Sequence, residues 1–287
     1  MRASYASPVL RTASTRVLDG RDLREVRALL ELDPVADVFV ASRVSAAGLE
    51  PWRLGAEVWG YGERGRLLAL CYSGANLVPV QAGPDAVRAF ADRARRQGRR
   101  CSSVVGPADA VELLWTLLRP SWGAAREVRA QQPLLVIDGP PRVAPDRFVR
   151  PVRPDEVDVL LPACVAMFTE EVGVSPLAGD GGALYRARVQ EIIRQGRAYA
   201  RIENGRVLFK AEVGAETAAS CQVQGVWVEP SLRDRGAGTA GMAAVVELAR
   251  RVAPVISLYV NDFNLAARRS YAKVGFRQEG VFASVLF

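Results

Sequence analysis

The spacing of apolar residues switches between helical and strand periods along the chain, and each switch marks an element. Residues 22–31 carry apolar side chains three and four apart, which predicts a helix that continues past Asp33-Pro34 as far as residue 43. Residues 56–61 and 66–72 read as strands around a turn at 63–65, and residues 76–80 as a third strand. A helix opened by Pro84 is predicted over 83–95, then a strand at 101–105, a helix at 108–118 and an apolar run at 133–137. After a Pro-rich stretch at 139–148 the pattern begins again. It predicts a helix over 157–171, kinked or interrupted at Pro162, a loop over 172–182 and an amphipathic helix over 183–194. Strands follow at 197–202, 206–213 and 221–228, then a small-residue helix from Thr239, a strand at 255–260, a helix at 265–274 and a last strand at 281–287.

The two runs share one order: a hairpin, a third strand, a helix, a strand and another helix. E-R-G-R-L-L-A-L at 63–70 stands where E-N-G-R-V-L-F-K stands at 203–210. An internal structural repeat is therefore expected, with a first domain over 1–145 and a second over 146–287.

Composition removes whole classes of chemistry. The 287 residues are 49% apolar and 24% charged, the balance of a globular protein with a real core. No apolar run reaches ~18 residues, so no membrane partner is expected. The net charge of +7 is carried by arginine, with Lys210 and Lys273 the only lysines. The basic run at 93–100 lacks interleaved aromatics and reads as a solvated helix face, so no nucleic-acid partner is expected. There is no histidine, and Cys71, Cys101, Cys164 and Cys221 lie far apart. Ser-His-Asp and Cys-His catalysis are thereby excluded, and no metal site is expected. Each cysteine adjoins an apolar segment, as buried thiols do in the reducing cytoplasm, the expected location. Residues 1–16 are rich in Ser and Arg without the apolar centre of a secretory signal, and are expected to form a loose arm.

The chemistry is concentrated in R-D-R-G-A-G-T-A-G at 233–241, which follows an apolar strand and opens a helix. A glycine-rich loop at a helix N-terminus presents unpaired N–H groups and partial positive charge, a setting for a phosphate or pyrophosphate. Residues 236–241 spell G-x-G-x-x-G, and Asp262 stands about where a dinucleotide fold places its ribose-binding acid. Against that reading, the charged, proline-broken residues 229–235 separate strand from glycine, and little more than one β-α-β remains after Asp262.

R-D-R-G-A-G at 233–238 also fits [Q/R]-x-x-G-x-[G/A], and N-L-A-A-R-R-S-Y-A-K-V-G-F at 264–276 fits N-x-x-A-x-x-x-Y-x-x-x-G-F. Both motifs, in order around a strand, resemble the acetyl-CoA site of the GNAT N-acetyltransferases. The whole chain is similar to actinobacterial GNAT proteins that carry an extra N-terminal domain of unknown function. The fold class implied is mixed α/β (α+β). It comprises a C-terminal GNAT fold, with a mostly antiparallel mixed sheet flanked by helices, after a GNAT-like N-terminal domain lacking the pyrophosphate loop, a pseudo-tandem.

The resemblance implies roles residue by residue. Backbone groups of Val226, Trp227 and Val228 would pair with the pantetheine amides, and the N–H of Val228 or a neighbour would polarise the thioester oxygen. The N–H groups of Arg235, Gly236, Ala237, Gly238 and Thr239 would hold the pyrophosphate, with Arg233 adding charge. Asn261 and Asn264 would bond the cofactor arm, and Tyr271 would protonate the departing thiolate. Without histidine the base would be a carboxylate, Glu212 or Glu229, with Glu170 and Glu171 beside the acceptor loop. Gln222 stands where several relatives place glutamate. The partners implied are acetyl-CoA and a primary amine (a small molecule, a peptide or a protein lysine) reacting directly in a ternary complex; homodimerisation stays open. The alternative function is a non-catalytic acyl-CoA-binding or sensing protein, motivated by Gln222.

Overall fold

A computed structural model describes residues 14–63, 66–178 and 181–287. The turn expected at 63–65 and most of the N-terminal arm lie outside the described residues, although Ser14–Val17 forms the first strand, β1. The first half continues with α1 (Leu23–Leu30), α2 (Val38–Ala47), α3 (Pro51–Leu54), β2 (Glu57–Glu63), β3 (Arg66–Ser73), β4 (Asn76–Val80), α4 (Pro84–Gln97), β5 (Ser103–Pro107), α5 (Ala108–Trp122) and β6 (Glu127–Ile137). The second half is β7 (Arg150–Pro151), α6 (Val157–Val172), α7 (Ala183–Arg194), β8 (Ala198–Glu203), β9 (Arg206–Glu216), β10 (Ser220–Val228), α8 (Ala237–Ala249), β11 (Val255–Tyr259), α9 (Leu265–Val274) and β12 (Arg277–Leu286). Apart from the short α3, the two halves run through the same order, so the expected repeat is present.

All twelve described strands join one sheet in the order β1-β2-β3-β4-β5-β12-β6-β11-β10-β9-β8-β7. The pairs β4–β5 and β10–β11 are parallel and the others antiparallel. Replacing each strand by its counterpart six places on reverses the order, the signature of a pseudo-twofold. At its centre the last strands have crossed over. β6, from the first half, lies between β12 and β11, and β12, from the second, lies between β5 and β6. Helices cover both faces in a three-layer arrangement. In the second half, Phe209, Met242 and Val246 belong to the core beneath α8 and α9, while Leu160, Cys164 and Val189 belong to that beneath α6 and α7.

The halves differ where a phosphate would bind. Eight residues (229–236) connect β10 to α8, whereas three (81–83) connect β4 to α4. In the first half Pro79 packs against Gly106 between the diverging strands, leaving a short turn and no phosphate loop.

Two helix expectations change. The helix expected over 22–43 is broken, because Asp33 accepts the N–H groups of Val35 and Ala36 in a turn that Pro34 stabilises. The helix expected to be kinked or interrupted at Pro162 runs without interruption as α6, since a proline in the second turn costs one hydrogen bond.

The Asp33–Pro34 turn and α2 lie against the hairpin between β9 and β10, where Ser220 donates to the Pro34 carbonyl and Glu216 N–H to Ser42 Oγ. Asp37, only 3% exposed, accepts a hydrogen bond from Gln81 Nε2 at 2.7 Å. Burial raises its pKa to about 7; the Gln81 bond opposes this and Asp33 adds to it. A carboxyl whose folded pKa lies above its unfolded value contributes stability that is complete at acid pH and is lost as pH rises through about 7. Asp37→Asn should therefore be more stable than the wild type at pH 8, by on the order of 4 kcal/mol, and nearly equal at pH 4. Denaturant titrations of both proteins at the two pH values check this. Equal stability at pH 8 would reject a raised pKa for Asp37.

Candidate active site

The glycine loop and the strand before it have the geometry for an extended phosphate ligand. β10 and β11 pair only from Ser220–Gln222 to Val255–Ser257 and then diverge. β10 is also bulged against β9 between Gln224 and Trp227, at Gly225, whose φ is 61°. The edge of Val226, Trp227 and Val228 that faces β11 is thereby left without a strand partner. The chain then crosses a short turn at Pro230–Leu232 and reaches Asp234 and Gly236, both left-handed, with φ of 59° and 86°. Gly236 precedes α8, and no side chain caps that helix. The N–H groups of Ala237, Gly238 and Thr239 consequently face outward from an uncapped first turn.

The other glycines serve packing. A Cβ on Gly238 would stand 3.2 Å from Val228 Cγ2, and one on Gly241 would stand 2.5–2.7 Å from the buried ring of Phe209. The G-x-G-x-x-G spelling thus records how closely α8 lies on β9 and β10.

The remaining sequence-derived residues divide into those the fold leaves open and those it engages. Arg235 is exposed. Arg233 turns back from the loop, donating Nε to the Val228 carbonyl at 3.0 Å and Nη2 to Glu170 at 2.8 and 3.2 Å. Trp227 Nε1 donates to the same carboxylate at 3.1 Å. Asn264 caps α9 by accepting Ala267 N–H at 3.1 Å. Asn261 is buried; its Oδ1 accepts from Gln132 Nε2 at 2.9 Å and its Nδ2 donates to Glu171 at 3.1 Å. Tyr271 is 6% exposed on α9, with its ring against Phe276, and among the described residues its hydroxyl has no hydrogen-bond partner. Burial raises its pKa, and Glu171 raises it further, so it remains a protonated acid through neutral pH.

The carboxylates differ in what they already hold. Glu229 accepts Ser231 N–H at 2.9 Å in the turn after β10 and lies 3.5 Å from Arg206; the Ser231 hydroxyl, which also donates to it, lowers its pKa most. Glu212 is buried on β9 beneath the bulge. It accepts Gln224 Nε2 at 2.8 Å and faces Lys210 Nζ and Arg188, each at 3.5 Å. Burial pushes its pKa up, but Lys210, Arg188 and the Gln224 bond outweigh this and the net direction is down. Gln222 occupies the last rung of the parallel pair, at the apex of the divergence.

Three residues of this neighbourhood carry no sequence signal that singled them out. Lys210 is 2% exposed and also donates to Cys164 Sγ at 3.5 Å. Arg129 and Gln132 come from β6, whose first six residues precede the apolar run expected there. The alternation of Glu127, Val128 and Arg129 was the available clue, but nothing local says that this strand crosses into the other half.

Residues 190–276 match the acetyltransferase (GNAT) family. The chain carries a GNAT acetyltransferase domain. Residues 56–160 match a domain of unknown function, DUF4081, so an N-terminal domain precedes the GNAT domain as expected. No curated protein matches the chain. Among solved structures, a GCN5-related N-acetyltransferase from Sphaerobacter thermophilus is 18% identical, with 96% of each chain covered and a TM-score of 0.60. A Drosophila protein is 14% identical over 96% of this chain and 99% of its own, with a TM-score of 0.65. A tandem GNAT protein from the clavulanic acid biosynthesis pathway is 16% identical over 95% and 98%, with a TM-score of 0.55. At these identities the likeness is one of fold, and it extends across both the GNAT domain and the half before it. The fold is the mixed sheet flanked by helices that the sequence implied.

Proposed function

We propose that the protein transfers an acetyl group from acetyl-CoA to a primary amine by direct attack in a ternary complex. The observation that carries this reading is the wedge between β10 and β11, which leads along an unpaired strand edge to the uncapped first turn of α8. The edge of Val226–Val228 suits the pantetheine amides, and the N–H groups from Arg235 to Thr239 suit the pyrophosphate. Arg233, which donates to the Val228 carbonyl and to Glu170, and Asn264, the cap of α9, are the polar side chains we assign to its border. The amine nitrogen bonds to the thioester carbonyl carbon, the carbon–sulfur bond breaks, and the Tyr271 hydroxyl delivers its proton to the departing thiolate. The amine gives up its own proton to a carboxylate. We assign the acetyl-CoA chemistry to residues 146–287, with residues 1–145 as a GNAT-like domain without its own cofactor that shapes the acceptor groove or the interdomain contact. The four buried, unpaired cysteines support a cytoplasmic setting.

Tyr271→Phe tests the reading. Acetyl-CoA affinity should stay within about twofold, while turnover of an accepted amine falls by roughly 10²–10³-fold. Unchanged turnover would remove Tyr271 from the chemistry. If the wild type binds acetyl-CoA tightly but releases free CoA with no member of a broad amine panel, the protein is an acyl-CoA-binding module.

A further inference from the structure

We propose that Glu171 is the carboxylate that receives the acceptor amine, and that Arg129, from the strand lent by the N-terminal half, is the residue that positions it. The inference rests on the acetyltransferase reading and adds which groups serve the amine.

Elimination and geometry agree. Glu229 is engaged by Ser231 and Arg206, Glu212 by Lys210, Gln224 and Arg188, and Glu170 by Arg233 and Trp227. Glu171 differs. Its Oε1 accepts both Arg129 Nη1 at 2.6 Å and Asn261 Nδ2 at 3.1 Å, while Oε2 accepts nothing among the described residues. The side chain is 47% exposed, so one oxygen is fixed and the other is presented to solvent. Glu171 is also the charge that bears on the Tyr271 hydroxyl, and it bears on Tyr259 of β11 as well. Asn261, which holds the same Oε1, stands between β11 and α9, so the carboxylate is tied to the segment that leads into the helix carrying Tyr271.

Arg129 is suited to hold that carboxylate. Its side chain is only 9% exposed, and its fork reaches two parts of the same residue, with Nη1 on the carboxylate and Nη2 on the Glu171 carbonyl at 2.5 Å. Nε donates to Glu127 at 2.8 Å, which fixes the guanidinium from behind. A second support comes through Ser284 to Gln132 at 2.6 Å, Gln132 to Asn261 at 2.9 Å, and Asn261 to Glu171. β6, β12 and the turn after β11 thus converge on the end of α6. The charged and titratable groups around Glu171 are Arg129 and Glu127 on β6, Tyr259 on β11, Tyr271 on α9 and Glu170 on its own helix.

The test uses the full chain and an amine that the wild type acetylates, with kcat/KM for the amine followed from pH 5 to 10. Glu171→Gln should lower kcat/KM by roughly 100-fold or more at pH 7 and recover at high pH, where the amine enters already deprotonated. Acetyl-CoA affinity should not change. Arg129→Met removes the guanidinium that fixes Glu171 Oε1, so the KM for the amine should rise by roughly tenfold while kcat at saturating amine falls less and acetyl-CoA affinity does not change. Arg129→Lys, which keeps the charge but not the fork, should raise KM less, and it carries the test should the methionine variant fail to fold. Unchanged kcat/KM in Glu171→Gln overturns the assignment of Glu171. A crippled Glu171→Gln with an unchanged KM for the amine in both Arg129 variants overturns the positioning role. A wild type that acetylates no amine instead overturns the acetyltransferase reading, and this inference falls with it.

Discussion

Residues 146–287 expressed alone are expected to yield no cooperatively folded protein, although every motif of the GNAT domain lies within them. The missing strand is β6, which pairs with β11 from Ile256–Ile137 to Tyr259–Leu134 and with β12 along most of its length. Its residues Leu134, Leu135, Val136 and Ile137 are all buried, at about 1.5–3 kcal/mol of transfer free energy each. That loss rivals the whole stability of a typical domain, about 5–15 kcal/mol, and leaves two open strand edges. Circular dichroism and thermal unfolding of the fragment, alone and mixed with residues 14–145, check this. A soluble fragment with a sharp unfolding transition would show that the crossed strands are dispensable.

Glu212→Ala should be the most damaging single substitution near the site, costing about 3–5 kcal/mol, because it strands the Lys210 ammonium inside the sheet. Lys210 is almost fully buried and its other described contact is the weak acceptor Cys164 Sγ. Replacing both charges, as in Lys210→Met with Glu212→Leu, should recover much of the loss, since two matched apolar groups carry no desolvation cost. The same pair sets a pH trend. Glu212 is held below the ordinary carboxylate range, so its contribution is present above that range and is lost as pH falls through its folded pKa. Denaturant midpoints of the single and double variants provide the measurement. A single variant as stable as the wild type would mean that Lys210 is not held by Glu212.

What the sequence revealed follows from what is local. The glycine loop, the Asn264–Phe276 segment and the repeated order of elements depend on residues near one another in the chain, and the structure places them as elements of one GNAT fold. The crossing of β6 and β12 depends on Leu286 meeting Ser103 and Tyr259 meeting Leu134. Two apolar runs read alike whichever neighbour they choose, so periodicity says that a strand exists and not where it lies. The same gap hid Arg129. Its fork matters only because Glu171 and Asn261 come to it from elements far along the chain. For the opposite reason the pattern conceals the break at Asp33-Pro34, since a helical spacing of apolar residues persists on both sides of a turn made by one carboxylate.

The place of β12 has a consequence for biosynthesis. A strand at the middle of the sheet is assembled from residues 277–286, so β5 and β6 leave the ribosome long before the element that must lie between them. The nascent first half therefore has to wait with an open seam, and closure comes only when the second half has been made. Such long-range pairing folds slowly and exposes edges meanwhile. Holding those edges apart until translation has passed Leu286 is work suited to a chaperone that binds extended apolar segments.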